Sequence, residues 1–92
     1  MKIPGLHIAG LRWFQRSYGN TYHSVTVYRD GAEPWQSGIH YGYGDMFLQT
    51  AMAYLARLGL IEEGDSHGTR YLREELGGTY SVSDVARERD LK

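Results

Sequence analysis

Thr21-Tyr22-His23-Ser24-Val25-Thr26-Val27-Tyr28 is the stretch on which the reading of this chain turns. Almost every residue in it is β-branched or aromatic, and it alternates, with Val25 and Val27 on one face and Ser24 and Thr26 on the other. That pattern predicts a half-buried strand over residues 21–28. Upstream, Leu11-Arg12-Trp13-Phe14-Gln15-Arg16 is rich in aromatic residues and runs into Tyr18-Gly19-Asn20, where Gly and Asn tolerate the positive φ of a hairpin turn. Downstream, Arg29-Asp30-Gly31 suits a type I turn with Gly31 in the left-handed position of a G1 bulge, leading to a third strand over 35–41. Pairing Tyr28 with Ala32 then places Trp35 and Ile39 on the Val25/Val27 face and builds a core there. The other face carries Tyr22, Ser24, Thr26 and Tyr28 beside Gln36 and His40.

The second half changes period. Gly42-Tyr43-Gly44 interrupts the strand, Asp45 is a good N-cap, and Leu48, Ala51, Met52, Leu55 and Leu58 recur at helical spacing from Met46 onward. Gly59 suits the left-handed residue after the last turn, with Leu60 folding back as in a Schellman ending. Glu62-Glu63-Gly64-Asp65 reads as a polar loop. Residues 69–76 suit a short second helix with Leu72 and Leu76 four apart, stopped by Gly77-Gly78, and 79–83 alternate as a fourth strand. Residues 86–92 are mostly charged and read as a frayed end. The expected fold is α+β: a three-stranded antiparallel meander, one main helix packed on it, a short second helix and a fourth, C-terminal strand.

Ninety-two residues allow one hydrophobic core, so the whole of 1–92 is expected to be a single domain. At 41% hydrophobic and 23% charged residues, the composition is that of a globular chain. There is no cysteine, which excludes disulfides and thiolate zinc sites and fits a reducing cytoplasm. Pro4, Gly5 and His7 break the N-terminal apolar run, so no export signal is expected, and nowhere do about eighteen apolar residues follow one another as a membrane span needs. A net charge of −1 gives no global attraction to nucleic acid or anionic lipid.

Motifs for chemistry are weak. The four histidines, His7, His23, His40 and His67, lack HxxxH or HExxH spacing, and the expected register puts His23 and His40 on opposite faces, so ordinary hydrogen-bonded histidines are expected and no metal. Gly42-Tyr43-Gly44-Asp45 opens a helix as phosphate loops do, but it matches neither GxxxxGK[ST] nor GxGxxG, and Asp45 would repel an anion. No cofactor is expected. The aromatic supply is more informative: eight Tyr, two Trp and two Phe exceed what a core of this size encloses. If Val25 and Val27 are buried, Tyr22 and Tyr28 share the opposite face, joined by Trp13 or Phe14 and by Arg12 and Arg16 according to register. Tyr, Trp and Arg dominate protein interfaces, and aromatics with Arg on a sheet also stack bases. Arg12, Arg16, Tyr22, Tyr28 and His40 are therefore the candidate binding residues.

The strings Arg12-Trp13-Phe14, Tyr18-Gly19-Asn20-Thr21-Tyr22-His23-Ser24-Val25 and Tyr41-Gly42-Tyr43-Gly44-Asp45 with Leu48-Gln49-Thr50-Ala51 resemble small uncharacterised proteins carried by bacteriophages and other mobile elements. The resemblance covers about the first sixty residues. It implies a genomic setting and transfers no catalytic residue. The expectation that follows is a non-enzymatic accessory protein in the cytoplasm of a bacterial host. Its expected partner is a protein, with inhibition of a host defence system as one such role. The alternative is a nucleic-acid-binding module using the aromatic and arginine face.

Overall fold

A central antiparallel hairpin follows from the alternation of residues 21–28 and the turn that precedes them. The computed structural model describes residues 2–62 and 68–91. Of the loop read at Glu62-Glu63-Gly64-Asp65 only Glu62 is among them, and His67 and Lys92 lie outside them. Strands β1 (His7–Gln15) and β2 (Asn20–Tyr28) pair from His7 opposite Tyr28 to Gln15 opposite Asn20. Gly19 turns the chain with φ +70°, and its N–H donates to the Gln15 carbonyl at 2.8 Å. The first strand begins at His7 rather than Leu11. Ala9 and Gly10 have low strand preference, so the extension is imposed by pairing with neighbours on both sides.

The third strand is split in two. β3 (Trp35–Gln36) and β4 (His40–Tyr41) both pair antiparallel with β2, but the register advances by one residue between them, from Val27 opposite Trp35 to His23 opposite His40. Ser37 and Gly38 make this bulge. The Val25 N–H donates to Ser37 Oγ at 3.0 Å while the Ser37 N–H donates to the Val25 carbonyl at 2.9 Å, and Gly38 takes φ +78°. Trp35 therefore lies on the Val25/Val27 face as expected. Ile39 does not: it lines a groove with Leu11, Ser24, Thr26 and Gln36 on the other face. The expected pairing of Tyr28 with Ala32 is likewise replaced by a longer loop, although Gly31 keeps its left-handed φ of +77°.

Helix α1 (Met46–Arg57) buries Phe47, Leu48, Ala51, Met52 and Leu55 against β2 and β1. Leu58, read as part of the stripe, is 44% exposed because it lies past the last turn as the C-cap. The Schellman ending is present: Gly59 has φ +78°, its N–H donates to Ala56 O at 2.9 Å, and the Leu60 N–H donates to Leu55 O at 3.1 Å. Trp35 closes one side of the core by stacking on Tyr54, with centroids 3.9 Å apart and planes within 5°.

Asp45 caps differently from the expectation. Its backbone carbonyl accepts from Leu48 N–H at 2.9 Å, but its side chain makes no cap hydrogen bond. Asp45→Ala should therefore change stability by no more than about 0.5 kcal/mol, the range of surface changes, instead of the 1 kcal/mol or so of a lost cap. Chemical denaturation measures this directly, and a loss above that range would show that the carboxylate does bond the helix amides in solution.

A short second helix, Tyr71–Glu75, is wound wide, with the Leu76 N–H donating to Tyr71 O. It buries Leu72, and Leu76, its C-cap, is buried as well. Gly78 permits the approach, since a Cβ there would lie 2.7 Å from Leu72 Cδ1 and 2.9 Å from Leu6 Cδ2. The fourth predicted strand is β5 (Thr79–Asp84), which pairs parallel to β1. The sheet is thus mixed, in the order β3-β2-β1-β5 with β4 also on β2. The tail read as frayed is packed through Leu91: Glu88–Leu91 form a 3₁₀ turn against β1, and Leu91 is 2% exposed.

Candidate functional site

Pairing decides which aromatic rings meet. Trp13 is opposite Tyr22 and Tyr22 is opposite Tyr41, so three rings line up across β1, β2 and β4 on the face away from α1. Trp13 stacks on Tyr22 with centroids 5.9 Å apart, and Tyr41 meets Tyr22 edge-on at 5.6 Å. Such pairs each contribute about 0.5–1.5 kcal/mol beyond area burial. Tyr41 is nevertheless 62% exposed, so the row presents a preassembled aromatic surface.

Tyr22 and Tyr28 do share this face, but six strand positions separate them, about 20 Å at the usual rise. Leu91 packs on β1 between them and, with Leu11 and Ser24, lines the groove there. The C-terminal turn therefore covers the middle of the face and leaves its two ends open. At the far end Tyr28 lies against His7 at 6.2 Å, and His7 hydrogen-bonds Thr79 Oγ1 at 2.7 Å and Ser81 Oγ at 3.2 Å.

Neither arginine joins the tyrosines in a single patch. Arg12 pairs opposite His23, on the helix side, where its Nε–H donates to Asp84 at 3.2 Å and its Nη1–H to the Gly44 carbonyl at 3.4 Å. Arg16 follows the end of β1 and is exposed. The two meet in an open groove with Trp13, Phe14, Tyr43 and Asp84. His40 also lies elsewhere. The bulge puts it beside His23, rings 5.8 Å apart, correcting the expectation that the two occupy opposite faces. It borders a different groove with Trp35, Thr50 and Arg57, and its Nε2–H donates to the Ser37 carbonyl at 3.1 Å.

His23 is 1% exposed, and both ring nitrogens are engaged. Nδ1 lies 3.2 Å from the Gly42 carbonyl, which can only accept, so this nitrogen carries the proton and Nε2 accepts from the Thr50 hydroxyl at 2.7 Å. Carbonyl, imidazole and hydroxyl in line have the form of an activated nucleophile. Thr50, however, lies within α1, where neighbouring backbone amides serve the helix and are not aimed at an oxyanion. The chain of bonds ties β2 to the helix and to the Gly42 loop.

Burial holds His23 below the ordinary value of 6.5; the Gly42 hydrogen bond opposes this shift and His40 adds to it. Below that value the unfolded chain takes up a proton that folded His23 resists, so stability falls as pH drops from 6.5 toward the lower, folded value. Thermal midpoints across this window should decline, and His23→Asn should flatten the slope. An unchanged slope would assign the decline to other groups.

Trp13, Tyr41 and Tyr43 come into these surfaces without having been singled out as binding residues. Alternation leaves Trp13 and Phe14 as alternatives, and the pairing of Trp13 opposite Tyr22 decides between them. Tyr41 required the bulge, whose signal was a glycine inside a predicted strand, Gly38. Among the described residues no helix is long and apolar enough to cross a membrane, and no group of three or more His, Asp or Glu is placed to hold a metal ion.

These features define the chain as a small α+β module: a mixed five-stranded sheet, a helix on one face and a partly covered aromatic row on the other. It matches no protein-family model, no curated protein and no solved structure.

Proposed function

We propose that this chain is a non-enzymatic binding module that engages a protein partner through the row Trp13-Tyr22-Tyr41. The mobile-element resemblance of its first sixty residues points to an accessory role in a bacterial host, with inhibition of a host defence system as one form of it. The observation that carries the reading is the row itself: Tyr22 held between Trp13 and Tyr41 on neighbouring strands while Tyr41 stays 62% exposed. Ordered aromatics lose little entropy on binding and concentrate interface energy.

Tyr22→Ser with Tyr41→Ser should weaken partner binding by about 100-fold or more while the chain, although destabilised by the loss of two ring contacts, stays folded at assay temperature. Tyr28→Ser, at the other end of the face, should leave binding intact. Affinity capture from host lysate, compared across these variants with nuclease treatment, reads both. Retention of the partner by the double variant would sink the proposal.

A second reading is favoured by the groove where Arg16 and Arg12 meet Trp13, Phe14 and Tyr43, a combination suited to stacked bases and phosphate. Arg12 is already paired with Asp84, which reduces the charge available there. Salt separates the readings: affinity for nucleic acid falls steeply as salt rises, and contact through the aromatic row changes little.

A further inference from the structure

The two edges of the sheet are treated differently. One edge consists of β3 and β4, two residues each, preceded by Pro34 and interrupted at Ser37-Gly38-Ile39. Short, broken, proline-flanked edges resist pairing with other chains. The opposite edge is β5, six residues, Thr79-Tyr80-Ser81-Val82-Ser83-Asp84, without lysine, proline or glycine. Its inner side is used by β1: the Thr79 N–H donates to Leu6 O at 3.1 Å and, just past the strand, the Val85 N–H donates to Arg12 O at 2.7 Å. Backbone groups alternate sides along a strand, so those of Tyr80, Val82 and Asp84 point outward. Among the described residues no strand pairs with them.

We propose that β5 is the seam of a homodimer, in which two copies join edge to edge across a two-fold axis at Val82. In this antiparallel register Val82 faces Val82 of the second copy and Tyr80 faces its Asp84, so every outward N–H and C=O finds a partner. Charge selects this arrangement. The two Asp84 carboxylates lie about 13 Å apart along the seam, whereas parallel pairing in register would set them side by side. Each carboxylate is also held by the Arg12 of its own chain at 3.2 Å. On the opposite face Ser81 meets Ser83 of the second copy. Tyr80, 41% exposed and 6.1 Å from Phe47, gains cover on its open side. The broken β3/β4 edge cannot accept β5, so association stops at two copies and does not propagate. Tyr22 and Tyr41, the residues changed in the binding test, lie on β2 and β4 with β1 between them and this seam, so dimerisation and partner binding fail separately.

Val82→Pro tests the seam. Proline removes an outward N–H and projects its ring there, while the N–H groups bonded to β1 belong to neighbouring residues. Sedimentation of the full chain over a concentration series should show a monomer–dimer equilibrium, and the variant should raise its dissociation constant by about 10- to 100-fold or more. Should the variant fail to fold, hydrogen exchange on the unaltered chain decides. The amides of Tyr80, Val82 and Asp84 should become protected as concentration rises, while those of Thr79 and Ser81 stay constant. A chain that remains monomeric throughout, or exchange at those amides that ignores concentration, overturns the proposal.

Discussion

Leu55→Ala is expected to cost about 2–5 kcal/mol in urea denaturation, with little change in the slope of the transition. Leu55 is fully buried in α1, among the side chains that pack on β2 and β1, and its carbonyl also accepts the Leu60 N–H that closes the helix. Truncation leaves a cavity that the Schellman turn, tied to the same residue, is poorly placed to fill. The loss is large relative to the total stability of a domain of this size, so the variant should be largely unfolded well below the parent's midpoint. A loss under 1 kcal/mol or so would mean that this side of the helix is not seated on the sheet.

Phe47→Ala should be comparably damaging, about 3–5 kcal/mol, and its effect is coupled to that of a glycine on the sheet below. Phe47 is 1% exposed and lies directly over Gly10, where an added Cβ would stand 2.6 Å from its Cδ2 and 2.8 Å from its Cγ. Gly10→Ala should therefore destabilise by about 1–3 kcal/mol through overpacking, although alanine relieves some of the entropy that glycine costs a strand. Removing the ring makes room for the methyl. The double variant should lose less than the sum of the single losses, by about 0.5 kcal/mol or more. Four denaturation curves complete the cycle, and strict additivity would show that ring and glycine do not touch.

The aromatic row shows where the sequence became unreadable. Alternation put Tyr22 on the face away from Val25, and the structure keeps it there. Its company depended on register, which in turn depended on Ser37 standing in for backbone in the ladder and on Gly38 taking a left-handed φ. The same one-residue advance sent Ile39 to the far face, placed Tyr41 beside Tyr22 and brought His40 onto His23. A slip of one residue exchanges every side chain between faces, so the site residues of the third strand could not be assigned from alternation alone.

Local chemistry was enough wherever an element is specified by its own residues. The strand at 21–28 follows from alternating β-branched residues, α1 from apolar spacing at the helical period, its ending from Gly59 and Leu60, and the second helix from Leu72 and Leu76. These depend on contacts within a few residues, which periodicity records. The tertiary structure alone decided the parallel pairing of β5 with β1, the extension of β1 to His7, and the burial of Leu91 within a tail that reads as charged and loose. Each rests on residues far apart in sequence meeting across the sheet, as when the Val85 N–H finds Arg12 O, and no local pattern specifies the partner of an unpaired backbone group.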